Sequence, residues 1–253
     1  MTAVATSAPR AATSPAGRIG RAFRLHFVNP TVTVWMPLGI LAIIFAMNWV
    51  IWLIVVGAGG QEGMTDGTSW NGATSFVFVY LLVTAVQAMS LTFQYALGLG
   101  ETRRDYYLGT VLAVAALAAG WAILVGALAA IEEATNGWGL GGHMFASVYF
   151  GTDGPLPRVW YVFLLMLLFG ALGLCAGALF VRWRRLGITA FFLALAAVAI
   201  AALAIIGLTN GWGAVGAFFG GLGFAGTYPL LLVPTAIAGA LGFLALRGAT
   251  PRG

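Results

Sequence analysis

Lysine is missing from this sequence: all twelve basic residues are arginine. That absence excludes a standard nucleotide-binding P-loop, whose lysine holds the β- and γ-phosphates, so any work driven by ATP would need another chain. Charge of either sign is scarce, at 8% of residues against 61% hydrophobic, where soluble proteins carry about 25% charged residues. Such a chain cannot cover a water-facing surface and belongs in a bilayer. The single cysteine, Cys175, lies in an apolar run; it excludes an internal disulfide and reads as a small buried residue. The two histidines, His26 and His143, are expected on opposite sides of the membrane, which leaves no metal-ligand cluster. No apolar run has an acid or a base in its middle, so the relays and bases of ion-coupled pumps and intramembrane hydrolases are missing. The net charge of +5 sits at the ends of apolar runs, where membrane orientation and anionic headgroups account for it. No nucleic-acid partner is implied.

What is present is a series of long apolar runs with short polar joints. Residues 1–17, rich in Ala, Thr, Ser and Pro, are expected to form a disordered tail without a secretory signal. Residues 18–29 read as an amphipathic helix in the cytosolic interface. Ile19, Phe23 and Phe27 share one face, Arg18, Arg21 and Arg24 the other, and Leu25 is a misfit. The plainer alternative is a basic anchor without fixed shape. Six spans are predicted, at 33–56, 74–97, 108–131, 159–181, 187–207 and 228–246, each near or above the ~20 residues that cross the hydrocarbon. The expected fold class is all-α: a polytopic membrane protein with six transmembrane helices over 30–247 and a short cytosolic tail at 248–253.

Charge orients this layout. With the amino terminus inside, eleven arginines fall in cytosolic parts and Arg158 alone falls outside, and basic residues decide orientation. Both termini are expected in the cytosol. The outer segments differ from one another. Residues 57–73 are Gly-rich and acidic, and 132–158 form the longest segment. Residues 208–227 carry no charge and read as an element that dips back into the membrane rather than a floppy apolar linker. Glu132 and Glu133, adjacent at a span end, read as solvated charges that point to different sides of a helix.

Two patterns carry functional content. In the second span Thr84, Gln87, Ser90 and Gln94 recur at helical spacing on one face. Glutamines against lipid would be costly, so the stripe either lines a substrate path, joined by Asn48, or bonds helices together. Small-residue pairs, Gly173 with Gly177 and Ala238 with Gly242, predict close helix contacts, within one chain or between two. The second pattern is the charged island Gly98–Gly109 between spans two and three. It holds Glu101, Thr102, Arg103, Arg104, Asp105, Tyr106 and Tyr107, with glycines at 98, 100 and 109. A simple inside anchor would not require the acids or the tyrosines; a compact, mixed-charge, aromatic knob suits docking on a soluble partner.

The segment Ala96-Leu97-Gly98-Leu99-Gly100-Glu101-Thr102-Arg103-Arg104-Asp105-Tyr106-Tyr107-Leu108-Gly109-Thr110 resembles the "ALG-x-TRRD(F/Y)-x-LGT" stretch of bacterial permeases in the type-2 (exporter) class of ABC transporters. The layout over residues 18–247 is similar as well. The resemblance implies a connecting helix at 18–29, six spans with both termini inside, and re-entrant helices between the last two. It makes Glu101, Thr102, Arg103, Arg104, Asp105 and Tyr106 the coupling segment against a separate ATPase subunit. ATP and Mg would bind on that subunit, with no cofactor in this chain, and two permease chains would form the path in a bacterial plasma membrane. The second outer segment is longer than such a permease needs. Another class of function is a non-transporting scaffold or assembly factor that holds a partner through its outer segments; an intramembrane enzyme lacks the groups it would need.

Overall fold

In the computed structural model, which describes residues 14–248, every regular element is helical. Helix α1 (Pro15–Leu25) begins where the Ser14 hydroxyl accepts the Gly17 N–H at 3.2 Å and Pro15 presets the first turn. It therefore starts before the expected residue 18. Of the two expected tails, only residues 14–17 and Gly248 fall among the described residues. Then follow α2 (Met36–Gly57), the short α3 (Met64–Thr68), α4 (Ser75–Gln87), α5 (Phe93–Gly98), α6 (Arg103–Ala134), α7 (Pro155–Leu208), α8 (Trp212–Thr227) and α9 (Leu232–Arg247).

Five helical units are long and apolar enough to cross a membrane: Thr31–Gly57, Ser75–Gly98, Arg103–Ala134, Pro155–Leu208 and Trp212–Arg247. The chain is thus an all-helical, multi-pass membrane protein. The count is five rather than the predicted six because the runs at 159–181 and 187–207 share one helix, α7. Straight, its 54 residues would reach about 80 Å, far more than a bilayer. Arg184 (φ 58°, ψ −138°) breaks it, and the chain doubles back. A Cβ on Gly187 would lie 2.6 Å from the Leu179 carbonyl oxygen, and Phe191 packs on Ala171, Cys175 and Ala238. The last unit is longer than predicted. Residues 212–227 are helical, broken at Gly223 (φ 59°), and run through the 3₁₀ turn Tyr228–Leu231 into α9.

A wide π turn opens the first unit and another interrupts the second, and each is held by a tyrosine from a neighbouring helix. At Thr31–Trp35 the Met36 N–H bonds the Thr31 carbonyl, and Pro37 has no N–H to offer. The freed Val32 carbonyl accepts the Tyr80 hydroxyl at 2.6 Å. At Ala88–Thr92 the Phe93 N–H bonds the Ala88 carbonyl, which also accepts the Tyr106 hydroxyl at 2.6 Å.

Small residues let the helices meet backbone to side chain. A Cβ on Gly173 would stand 2.3 Å from the Leu82 carbonyl oxygen, one on Gly177 2.8 Å from that of Val86, and one on Gly242 3.2 Å from the Cys175 Cα. Both small-residue patterns therefore serve contacts inside this chain. Cys175 is fully buried there. One end of the bundle, here the base, carries α1, Glu101, Arg184 and Arg247; the other, the lobe, carries 57–74, 135–154 and 209–228.

Candidate functional site

At the base, α1 lies across the start of α6. Gly109 permits the approach: a Cβ there would fall 2.6 Å from Ala22 Cβ and 2.8 Å from the Ile19 carbonyl oxygen. The face turned to α6 carries Arg18, Ala22 and Leu25, at helical spacings of four and three, and Ala22 is wholly buried. Leu25 is thus no misfit, because it packs in the same cluster as Ala22 and Tyr106. Ile19, Phe23 and Phe27 are half-buried on the flank.

Two ion pairs lock the crossing. Arg18 Nε meets Asp105 Oδ2 at 2.6 Å, and Arg21 Nε meets Glu101 Oε1 at 2.9 Å. Both carboxylates are buried, at 7% side-chain exposure, where a charge needs a partner. Thr102 caps α6, its hydroxyl accepting the Asp105 N–H at 3.1 Å. The acids, four apart, thus meet arginines three apart on another helix, a spacing visible in the sequence but unused in its reading.

The island Gly98–Gly109 is consequently not a free knob. Glu101, Asp105, Tyr106 and Tyr107 are buried. The Tyr106 hydroxyl holds the wide turn of the α4–α5 unit, and that of Tyr107 donates to the Gly239 carbonyl in α9 at 2.6 Å. Arg103 donates to the Arg247 carbonyl at 3.1 Å, at the negative end of α9. What remains open to a soluble partner is a rim of Gly98, Leu99, Gly100, Thr102 and Arg104.

His26 closes the elbow between α1 and α2. Its Nε2 lies 2.9 Å from Thr110 Oγ1, and that hydroxyl gives its proton to the Tyr106 carbonyl at 2.8 Å. Nε2 is therefore the protonated nitrogen, as assigned from this network. Burial pushes the His26 pKa down to about 4, so the ring is neutral at physiological pH.

The polar stripe divides. Thr84 and Ser90 bond back to the carbonyls of Tyr80 and Val86 in their own helix, while Gln87 and Gln94 are exposed. Between them the π turn adds a residue and displaces Gln94 from a straight helical register. Asn48 does not join the stripe. It donates to the Ile44 carbonyl and accepts from Asn71 Nδ2 at 3.0 Å, on the way to the lobe.

The lobe holds what the sequence reading missed. Glu132, expected in solvent, is 1% exposed. Its carboxylate accepts the backbone N–H groups of Met144, Phe145 and Ala146 and the indole N–H of Trp138, at 2.8–3.2 Å. Glu133 pairs with Arg158 at 2.7 Å, and that arginine, 2% exposed, also donates to the Gly151 carbonyl. Glu132 is thus a buried structural partner rather than a solvated charge, while Glu133 meets Arg158 from an exposed position, its side chain 42% accessible. Among the described residues no three or more His, Cys, Asp or Glu gather as a metal site. No family model, no curated protein and no solved structure matches the chain.

Proposed function

We propose that this chain is the membrane-spanning permease subunit of an ABC transporter of the exporter class. It crosses a bacterial plasma membrane six times, with the base in the cytosol and α7 supplying two crossings. A separate ATPase subunit, carrying ATP and Mg, docks on the rim around Arg104, and a second permease chain completes the path for an amphipathic or lipid-like compound. The observation that carries this reading is the double ion pair joining α1 to the island that resembles the coupling stretch of such permeases. A push on that island reaches α1, α6 and, through Tyr106, the middle of the α4–α5 unit together. The exposed Gln87 and Gln94 support a polar path between protomers, because amides facing lipid would be costly.

The test is co-purification with an ATPase encoded beside this gene. Arg104→Glu, a change on the open rim, is expected to weaken capture of that ATPase about tenfold, the worth of one good interfacial charge pair, while expression is unchanged. Capture that survives the reversal, or a chain active without any ATPase, refutes the assignment. A second reading, a scaffold that holds a partner on its lobe, is favoured only by how firmly Glu132 and Arg158 build that lobe. Pull-down of a non-ATPase membrane partner would support it.

A further inference from the structure

At the lobe end, between α7 and α8, lies a cavity of about 550 Å³ whose described lining is apolar apart from the hydroxyls of Thr227 and two tyrosines. We infer that it is a binding site for one acyl chain of a phospholipid in the leaflet on that side. Its mouth is formed by Trp70 and Tyr149, exposed and packed edge to face at 5.1 Å, the residue types that settle at a bilayer interface. Its walls run past Phe224 and Tyr228 to Leu165 and Phe219. Through Tyr228 the Tyr149 rim sits beside Tyr161, about one helical turn above Leu165, so the cavity opens near the lobe end of α7 and lies on that side of the bilayer.

Its chemistry selects the occupant. No charged residue is among its described lining residues, so the hydrocarbon is recognised and the headgroup stays at the Trp70 rim. Tyr228 keeps the wall in place by donating its hydroxyl to the Tyr149 carbonyl and stacking on Tyr161 at 4.6 Å. The inference needs only a membrane around the chain, so it stands or falls apart from the ATP-driven reading.

The experiment uses the full chain in nanodiscs containing phosphatidylcholine with a diazirine in its palmitoyl chain. After irradiation, adducts are mapped by peptide mass spectrometry. Expected are adducts on Leu165 and Phe224 in excess over those on Leu193 and Val198, which are exposed on the second arm of α7. Gly220 lines the cavity and Gly221 does not, and a Cβ at either meets nothing within 4 Å. Gly220→Phe should therefore abolish the excess, and Gly221→Phe should leave it. Uniform labelling of all exposed apolar residues in the wild type, which is lipid annulus only, overturns the proposal whether or not the variants fold. So does an excess that Gly220→Phe leaves intact. Cavity residues left unlabelled while two copies cross-link across them would assign the cavity to a second chain instead.

Discussion

Replacing Glu132 is expected to release the lobe while leaving the base intact. Four N–H donors converge on its carboxylate: three from the backbone at 144–146 and one from Trp138. Glu132→Ala strands all four. A buried donor left without a partner costs about 1–3 kcal/mol, and water entering the vacated space keeps each near the low end, so the loss is about 4 kcal/mol. Glu132→Gln keeps one acceptor oxygen but turns an NH₂ toward N–H donors, which should cost roughly half as much. The direct assay is amide hydrogen exchange at 144–146 in micelles. A local loss of about 4 kcal/mol accelerates exchange there nearly a thousandfold, and Glu132→Gln gives a smaller step in the same amides. Exchange in α1 and the first turn of α6, at the far end, should not change. If the three amides exchange at the wild-type rate in both variants, the carboxylate does not hold the lobe and the reasoning fails.

Two further outcomes follow from the base. A double-mutant cycle on Arg18→Ala and Asp105→Ala, read by thermal unfolding in detergent, should return a coupling of about 1 kcal/mol, since the pair is close but Arg18 is 32% exposed; additive losses would remove the ion pair from the clamp. His26 is held neutral with its pKa lowered to about 4, so the unfolded chain takes up a proton that the folded chain refuses. The contribution is complete above pH ~6.5, shrinks as pH falls through the interval, and by pH 4 has lost at most about 3 kcal/mol. Titration of the His26 ring by NMR near 6.5, its ordinary value, would refute the buried elbow.

How far the sequence foretold this molecule depends on which force fixes each part. Hydrophobic run length is a one-dimensional signal, and the apolar runs did form membrane-length helices, although runs 159–181 and 187–207 join through Arg184. Small residues at a spacing of four likewise marked close packing, with the partner helices left open. The ends of elements were harder. Glu132 and Glu133 look alike at the end of a span, and only the path of the following segment separates them. That path runs through Asn136 and Trp138 in the left-handed region (φ 51° and 57°), with glycines at 137, 139 and 141 also at positive φ. It brings three successive N–H groups onto one carboxylate, and no spacing rule announces it. At the island the sequence suggests an open knob, whereas Glu101, Asp105 and Tyr106 are buried and α1 pairs with both acids, because the order of residues along the chain does not say which helix will cross over them.

The tyrosine contact at Ala88 has a mechanical corollary. Because Tyr106 grips the α4–α5 rod at its waist rather than its tip, the rod is pinned to α6 at one point, with nearly equal lengths on either side. The added residue in the 88–92 turn falls at that pin, so the two halves of the rod meet there while each keeps its own ladder of backbone bonds.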